Sequence, residues 1–170
     1  MSIVGTADKK GPSMPDVTEL AHEAMNQGLR IAVAESLTSG MLCNAVGAAE
    51  QASRWFAGGV VAYTVETKER LLGLEPGTDP CSPQCAVQLA VGVRELLDAD
   101  IAISTTGVGG PDPEDGHAPG TVYIGWATAD HHGEHLLRLE GDPEEVITEA
   151  TRRAVRLLTE IVRRQRTVAA

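Results

Sequence analysis

Lysine is scarce in this chain. Of the 170 residues only three are lysines, and two of them, Lys9 and Lys10, stand together in a polar N-terminal stretch. All other positive charge in the body is arginine, which keeps its proton in a protein and cannot act as a base. Aromatic residues are equally few: two Trp, two Tyr and one Phe. Aliphatic side chains and alanine must therefore fill the core. The chain has three cysteines, Cys43, Cys81 and Cys85, so they cannot all pair. Cys81 and Cys85 lack CxxC spacing and no second pair completes a zinc site, which leaves ordinary thiols. No apolar run approaches the roughly 20 residues of a membrane span, and no secretory apolar segment opens the sequence. A reduced cytoplasm and no membrane partner are the expectations. Basic blocks are missing until the last helix, and the formal net charge is −10. Such a surface repels phosphate backbones, so duplex nucleic acid is not the expected partner. A small anion held by main-chain N–H groups remains compatible with it.

The one lysine of the body is Lys68, just after the apolar run that ends at Ala62-Tyr63. Unlike arginine, it can lose its proton once burial or a neighbouring cation lowers its pKa. His131, His132 and His135 resemble a metal cluster only superficially. They follow Asp130 in what reads as a solvated hairpin turn, and no metal is expected.

Residues 1–14 carry Gly, Lys, Asp, Ser and Pro without periodicity and read as a disordered extension; a single domain is expected over 15–166. Val17, Leu20, Ala21, Ala24 and Met25 repeat at helical spacing before Gly28. Short apolar strands are expected over 30–34, 56–63, 101–104 and 121–127, with a hairpin partner over 134–140. Helices are expected over 41–49, 67–72 and 83–97. Asp142, Pro143 and Glu145 announce a final helix with a capping box. Helices interleaved with strands imply an α/β class, a single three-layer α/β/α domain, and the hairpin makes its sheet mixed.

Three places can carry chemistry. The turn Ala34-Glu35-Ser36-Leu37-Thr38-Ser39-Gly40 joins a buried strand to a helix, where ligands of α/β sheets gather. A hydroxyl there is placed as a nucleophile, and the helix-start N–H groups can hold an oxyanion. The bland alternative makes Ser36 or Thr38 an N-cap, but three hydroxyls are present and one cap suffices. A serine needs a base, and Lys68, Glu35, Glu66 and the histidines are the candidates. The third place is Thr105, Thr106 and the long Gly107–Gly120 loop, whose glycines allow close approach to an anion.

Four blocks in order resemble the CinA C-terminal domain family, the PncC-type nicotinamide-nucleotide amidases. They are Ala34–Gly40, Gly58–Lys68, Thr105–Pro111 and Gly120–Gly125. The family patterns run approximately A-E-S-C-T-G-G, G-G-V-V-A-Y-S-N-E-x-K, V-T-G-x-A-G-P and G-T-V-Y-I-G. The resemblance implies hydrolysis of the carboxamide of nicotinamide mononucleotide to nicotinate mononucleotide and ammonia, within pyridine nucleotide salvage. It implies Ser36 as nucleophile, Lys68 as base, and Tyr63 assisting proton transfer or orienting the lysine. Substrate contacts would come from Glu35, Thr38, Ser39, Gly40, Ser53, Thr106, Gly107 and Gly110. No cofactor is implied, and a homodimer is. The chain departs from the pattern at Leu37, Ser39, Val65 and Gly109. Two alternatives accompany the amidase reading: a nucleotide-binding module of the same family with weak turnover, and a protein linked to competence or DNA recombination.

Overall fold

The computed structural model describes residues 15–168; the expected extension over 1–14 lies outside them. Eleven elements follow one another: α1 (Thr18–Gln27), β1 (Ile31–Glu35), α2 (Met41–Gly47), a 3-10 turn (Ala52–Arg54), β2 (Phe56–Val61), α3 (Val65–Leu72), α4 (Pro83–Leu96), β3 (Ile101–Gly107), β4 (Thr121–Ala127), β5 (His132–Arg138) and α5 (Pro143–Val168). The five strands form one sheet in the order β2-β1-β3-β4-β5. β1 is parallel to both β2 and β3, while β4 and β5 run antiparallel. The fold is thus α/β with a mixed sheet, as the interleaved pattern implies.

β1 is buried along its whole length because it lies inside the sheet with helices on both faces. One apolar layer joins it to α1, α2 and α5 through Leu20, Val33, Leu42, Val46, Ala150, Ala154 and Leu158. The other joins it to α3 and α4 through Ala32, Ala34, Leu72, Cys85, Leu89 and Val93. Gly125 lets α4 settle on the sheet, since a Cβ there would collide with the Ala86 carbonyl and the Ser104 hydroxyl. Ser104 Oγ completes the contact by donating to Ala86 O at 2.6 Å.

The final helix begins as its sequence dictates. Glu145 N donates to Asp142 Oδ1 and Asp142 N donates to Glu145 Oε2, both at 2.9 Å, which is a reciprocal capping box. Several local bounds need correcting, beginning with β2, which ends at Val61 rather than at residue 63, and α3, which starts at Val65 rather than at residue 67. β3 runs three residues beyond Ser104, because Thr105, Thr106 and Gly107 pair with Ile124, Tyr123 and Val122. β5 starts at His132 rather than Glu134, so His132 and His135 are strand residues and only His131 stays in the turn. Being three apart on a strand, those two side chains point to opposite faces. Among the described residues no group of three or more His, Cys, Asp and Glu could hold a metal ion, and no helix is long and apolar enough to cross a membrane.

Topology fixes where a ligand can bind. From β1 the chain turns into α2 on one face of the sheet; from the neighbouring β2 it turns into α3 on the other. Adjacent parallel strands whose connections leave to opposite faces open a crevice at their carboxyl ends. Ser36 follows β1 there, and Tyr63 follows β2.

Candidate active site

A cavity of about 530 Å³ opens at this end of the sheet. Its walls bring together Ser36, Tyr63, Lys68, Thr106, Gly107 and Gly110, residues separated by up to 74 positions in sequence.

Ser36 is 8% exposed. Its N–H donates to Thr105 O at 3.0 Å, which continues the β1–β3 pairing by one residue and fixes the Cα. Its hydroxyl has no hydrogen-bond partner among the described residues and faces the cavity.

Glu35 explains how the turn is held. Its buried carboxylate accepts from Gly40 N and Leu42 N at 3.0 Å and from Cys43 N at 2.7 Å. A carboxylate at the N-terminus of α2 satisfies orphan N–H groups and complements the helix dipole. No side chain of the turn's hydroxyl residues caps α2, whose N-cap is Gly40 with φ 105°. This corrects two expectations. Neither Ser36 nor Thr38 is the N-cap, and the first N–H groups of α2 are taken by Glu35 rather than left for an oxyanion. Among the described residues, the N–H groups of Leu37 and Thr38 have no acceptor. Leu37, the residue after Ser36, lines the cavity.

Thr38 and Ser39 also build the turn rather than the cavity wall. Thr38 Oγ1 and Thr105 Oγ1 share a buried hydrogen bond of 2.7 Å, tying the turn to β3. Ser39 adopts φ 48°, a region that favours glycine, and folds its hydroxyl back to Ser36 O at 3.2 Å. Ser53 is exposed in the 3-10 turn before β2, at the far end of the sheet from Ser36. It is not brought to this cavity.

Lys68 is 2% exposed, although α3 is otherwise largely solvated. The helix is set by Thr64, whose Oγ1 accepts from Thr67 N, and this turns Lys68 inward. Its Nζ donates to the main-chain carbonyl of Tyr63 at 2.8 Å. Burial pushes the amine below the ordinary lysine range, offset in part by the nearby Cys85 and the Glu114 carboxylate. Tyr63 therefore touches the lysine through its backbone, while its side chain stands at the mouth and is 67% exposed. No direct Ser36–Lys68 hydrogen bond is formed among the described residues; catalytic contacts commonly tighten only when substrate is present.

Thr106 Oγ1 donates to Pro80 O at 2.5 Å, so toward a ligand it offers a lone pair. Pro80 and Cys81 line the cavity, as do Pro143 and Ile147 of the first turn of α5. Sequence reasoning missed these four, since none carries a motif and each arrives from a distant segment. The thiols are unsuited to nucleophilic work. Burial raises Cys81 to about 11 and also raises Cys43 and Cys85.

Fold and cavity together define a three-layer α/β domain with a buried serine–lysine pocket at its topological switch point. The profile of the CinA C-terminal domain matches residues 15–162, and the chain belongs to that family. A competence-damage inducible protein of Geobacillus kaustophilus is 42% identical over 147 residues, covering 84% of this chain and 33% of the relative. One of Bacillus subtilis is 43% identical over 113 residues, covering 64% and 27%. The chain thus spans about a third of the length of these curated relatives. Among solved structures, a CinA superfamily protein of Klebsiella pneumoniae superposes with a TM-score of 0.83 at 31% identity, covering 87% of this chain and 96% of that one. One of Escherichia coli gives 0.82 at 32% identity, covering 94% and 95%.

Proposed function

We propose that the chain is an amidohydrolase that converts nicotinamide mononucleotide to nicotinate mononucleotide and ammonia. One observation carries the reading: a fully buried lysine with a depressed pKa shares a cavity with a buried serine whose hydroxyl is unpaired. The substrate comes from the family resemblance of the four motif blocks.

In this mechanism neutral Lys68 takes the proton as Ser36 Oγ attacks the carboxamide carbon. The Leu37 N–H, left without an internal acceptor, receives the oxyanion of the tetrahedral intermediate. Collapse breaks the C–N bond, and the proton held by Lys68 leaves with ammonia. Water, activated by the same amine, cleaves the Ser36 ester and releases nicotinate mononucleotide with the hydroxyl restored. Thr106 and Gly107–Gly110 line the same cavity and in this reading supply further contacts to the amide. The net charge of −10 supports a small-molecule substrate over a nucleic acid. The test is ammonia release from nicotinamide mononucleotide by the wild type, lost in Ser36→Ala.

A further inference from the structure

The last pair between β1 and β3 sets Glu35 opposite Thr105, and Ser36 N adds one further bond to Thr105 O at 3.0 Å. Beyond it the chain leaves the sheet. Residues 37–39 make no main-chain hydrogen bond to any strand. The main-chain bonds of this stretch are local, Ser39 N to Ser36 O at 3.1 Å and Met41 N to Thr38 O at 2.9 Å. The Glu35 carboxylate takes hold only downstream, at Gly40, Leu42 and Cys43. The stretch between is strained, because Ser39 sits at φ 48°. A strained turn keeps its shape only where its surroundings over-determine it.

One side-chain bond spans the gap. Thr105 is wholly buried, Thr38 is 2% exposed, and their hydroxyls meet at 2.7 Å across 67 positions of sequence. Thr105 is itself held on both sides, by Glu35 of β1 and Ile124 of β4. One residue of β3 therefore grips the turn twice, with its carbonyl at Ser36 and its hydroxyl at Thr38. The dihedrals that aim the Ser36 hydroxyl and the Leu37 N–H lie between these two grips. Thr106 lines the cavity and Thr105 does not, as the alternation of a strand requires. Whatever Thr105 contributes to the reaction passes through the turn.

We infer that Thr105 is a positioning residue for the reaction: its hydroxyl bond to Thr38 locks the turn, so that the Ser36 hydroxyl and the Leu37 N–H address the same carbonyl group. The inference rests on the amidase reading for the reaction it serves. Displacing a reacting group by an ångström can cost about a hundredfold in rate, so a single bond at this place bears on turnover more than on the fold.

Three variants of the whole chain separate positioning from stability: Thr105→Val, Thr105→Ser and the double variant Thr38→Val/Thr105→Val. Thr105→Val leaves the Thr38 hydroxyl buried without its partner and is expected to lower the melting temperature. It is also expected to lower kcat for ammonia release about tenfold or more, with KM within about twofold. Thr105→Ser keeps the hydroxyl and is expected to stay within about threefold of the wild-type kcat. The double variant removes both hydroxyls at nearly constant shape, so its melting temperature is expected to return toward the wild type, while kcat stays low. A kcat that recovers with the melting temperature in the double variant overturns the inference. So does a wild-type kcat in Thr105→Val, a loss confined to KM, or a Thr105→Ser loss as large as that of Thr105→Val.

A second readout needs no nucleotide. A fluorophosphonate phosphonylates an activated serine: Oγ bonds to phosphorus, the P–F bond breaks, fluoride leaves, and Lys68 takes the proton. Labelling of Ser36, followed by intact mass, is expected to slow about tenfold in Thr105→Val and in the double variant, and to persist in Thr105→Ser. A wild type that is labelled at Ser36 but releases no ammonia overturns the amidase reading alone. Equal labelling rates in the wild type and the double variant overturn the inference alone. A wild type that neither turns over nor is labelled overturns both.

Discussion

Lys68 Nζ donates to the carbonyl oxygen of Tyr63, five residues earlier, at 2.8 Å. The lysine is aimed by the main chain at the end of β2, and the tyrosine side chain does not hold it. Tyr63→Phe keeps that carbonyl. It is expected to lower kcat for ammonia release less than about tenfold, against a loss of roughly 10²–10⁴ in Lys68→Ala, the usual contribution of a general base. Steady-state assays of the two variants check this. A Tyr63→Phe loss as large as that of Lys68→Ala would assign the phenol a proton-transfer role.

The buried amine sets two opposite pH trends. As a base Lys68 must be neutral, so kcat rises with pH through its folded pKa, below the ordinary 10.5. In stability the amine is a burden. Its pKa is lower folded than unfolded, so the unfolded chain binds more protons in the interval between them. The penalty is complete below the folded pKa and disappears as pH rises toward 10.5. Lys68→Met is therefore expected to abolish turnover and to stabilise the fold at pH 7 by about 1 kcal/mol. Urea unfolding at pH 7 and near 10.5 measures it, and the gain should shrink at the higher value.

Glu35 is the anchor of the serine turn. Glu35→Gln keeps the shape but cannot accept all three N–H donors and removes the charge at the start of α2. A loss of about 1–3 kcal/mol is expected, visible as a lower denaturant midpoint. On the proposed mechanism activity should fall through kcat rather than KM, because the change displaces Ser36 while the Glu35 carboxylate bonds only main-chain N–H groups of the turn.

Ser39 holds a left-handed conformation at φ 48° that a glycine adopts without strain. Its hydroxyl bonds to Ser36 O and Leu37 O offset part of that strain. Ser39→Gly is expected to change stability by less than about 1 kcal/mol and to leave turnover within a few-fold. Thermal unfolding and a single progress curve test both.

Local signals in the sequence were strong where the chemistry is local. The capping box at Asp142 and Glu145, the stop at Gly28 and, to within one residue, the apolar strand expected over 30–34 read directly, because each is decided by residues within a few positions. Lys68 stood out through the scarcity of lysine, and Ser36 through its strand-to-helix turn. The role of Glu35 was not legible, since a polar residue between a strand and a turn gives no sign that its carboxylate will fold onto three amides downstream. Nor could spacing show that Tyr63 offers its carbonyl, or that the first turn of α5 closes the cavity across more than 100 residues from Ser36. Those are products of sheet order, which brings β3 and α5 beside β1. The start of β5 was misplaced because His132 and Gly133 look like turn residues, while their pairing with Ala127 and Trp126 makes them strand.

The central claim is that Ser36 and Lys68 act as one unit in amide hydrolysis. Its most direct test is the rate of ammonia release from nicotinamide mononucleotide by the wild type, Ser36→Ala, Lys68→Ala and the double variant. The account predicts turnover in the wild type, a loss of several orders of magnitude in each single variant, and little further loss in the double, as for residues that share one step. An inactive wild type, or turnover that survives Ser36→Ala, would contradict it.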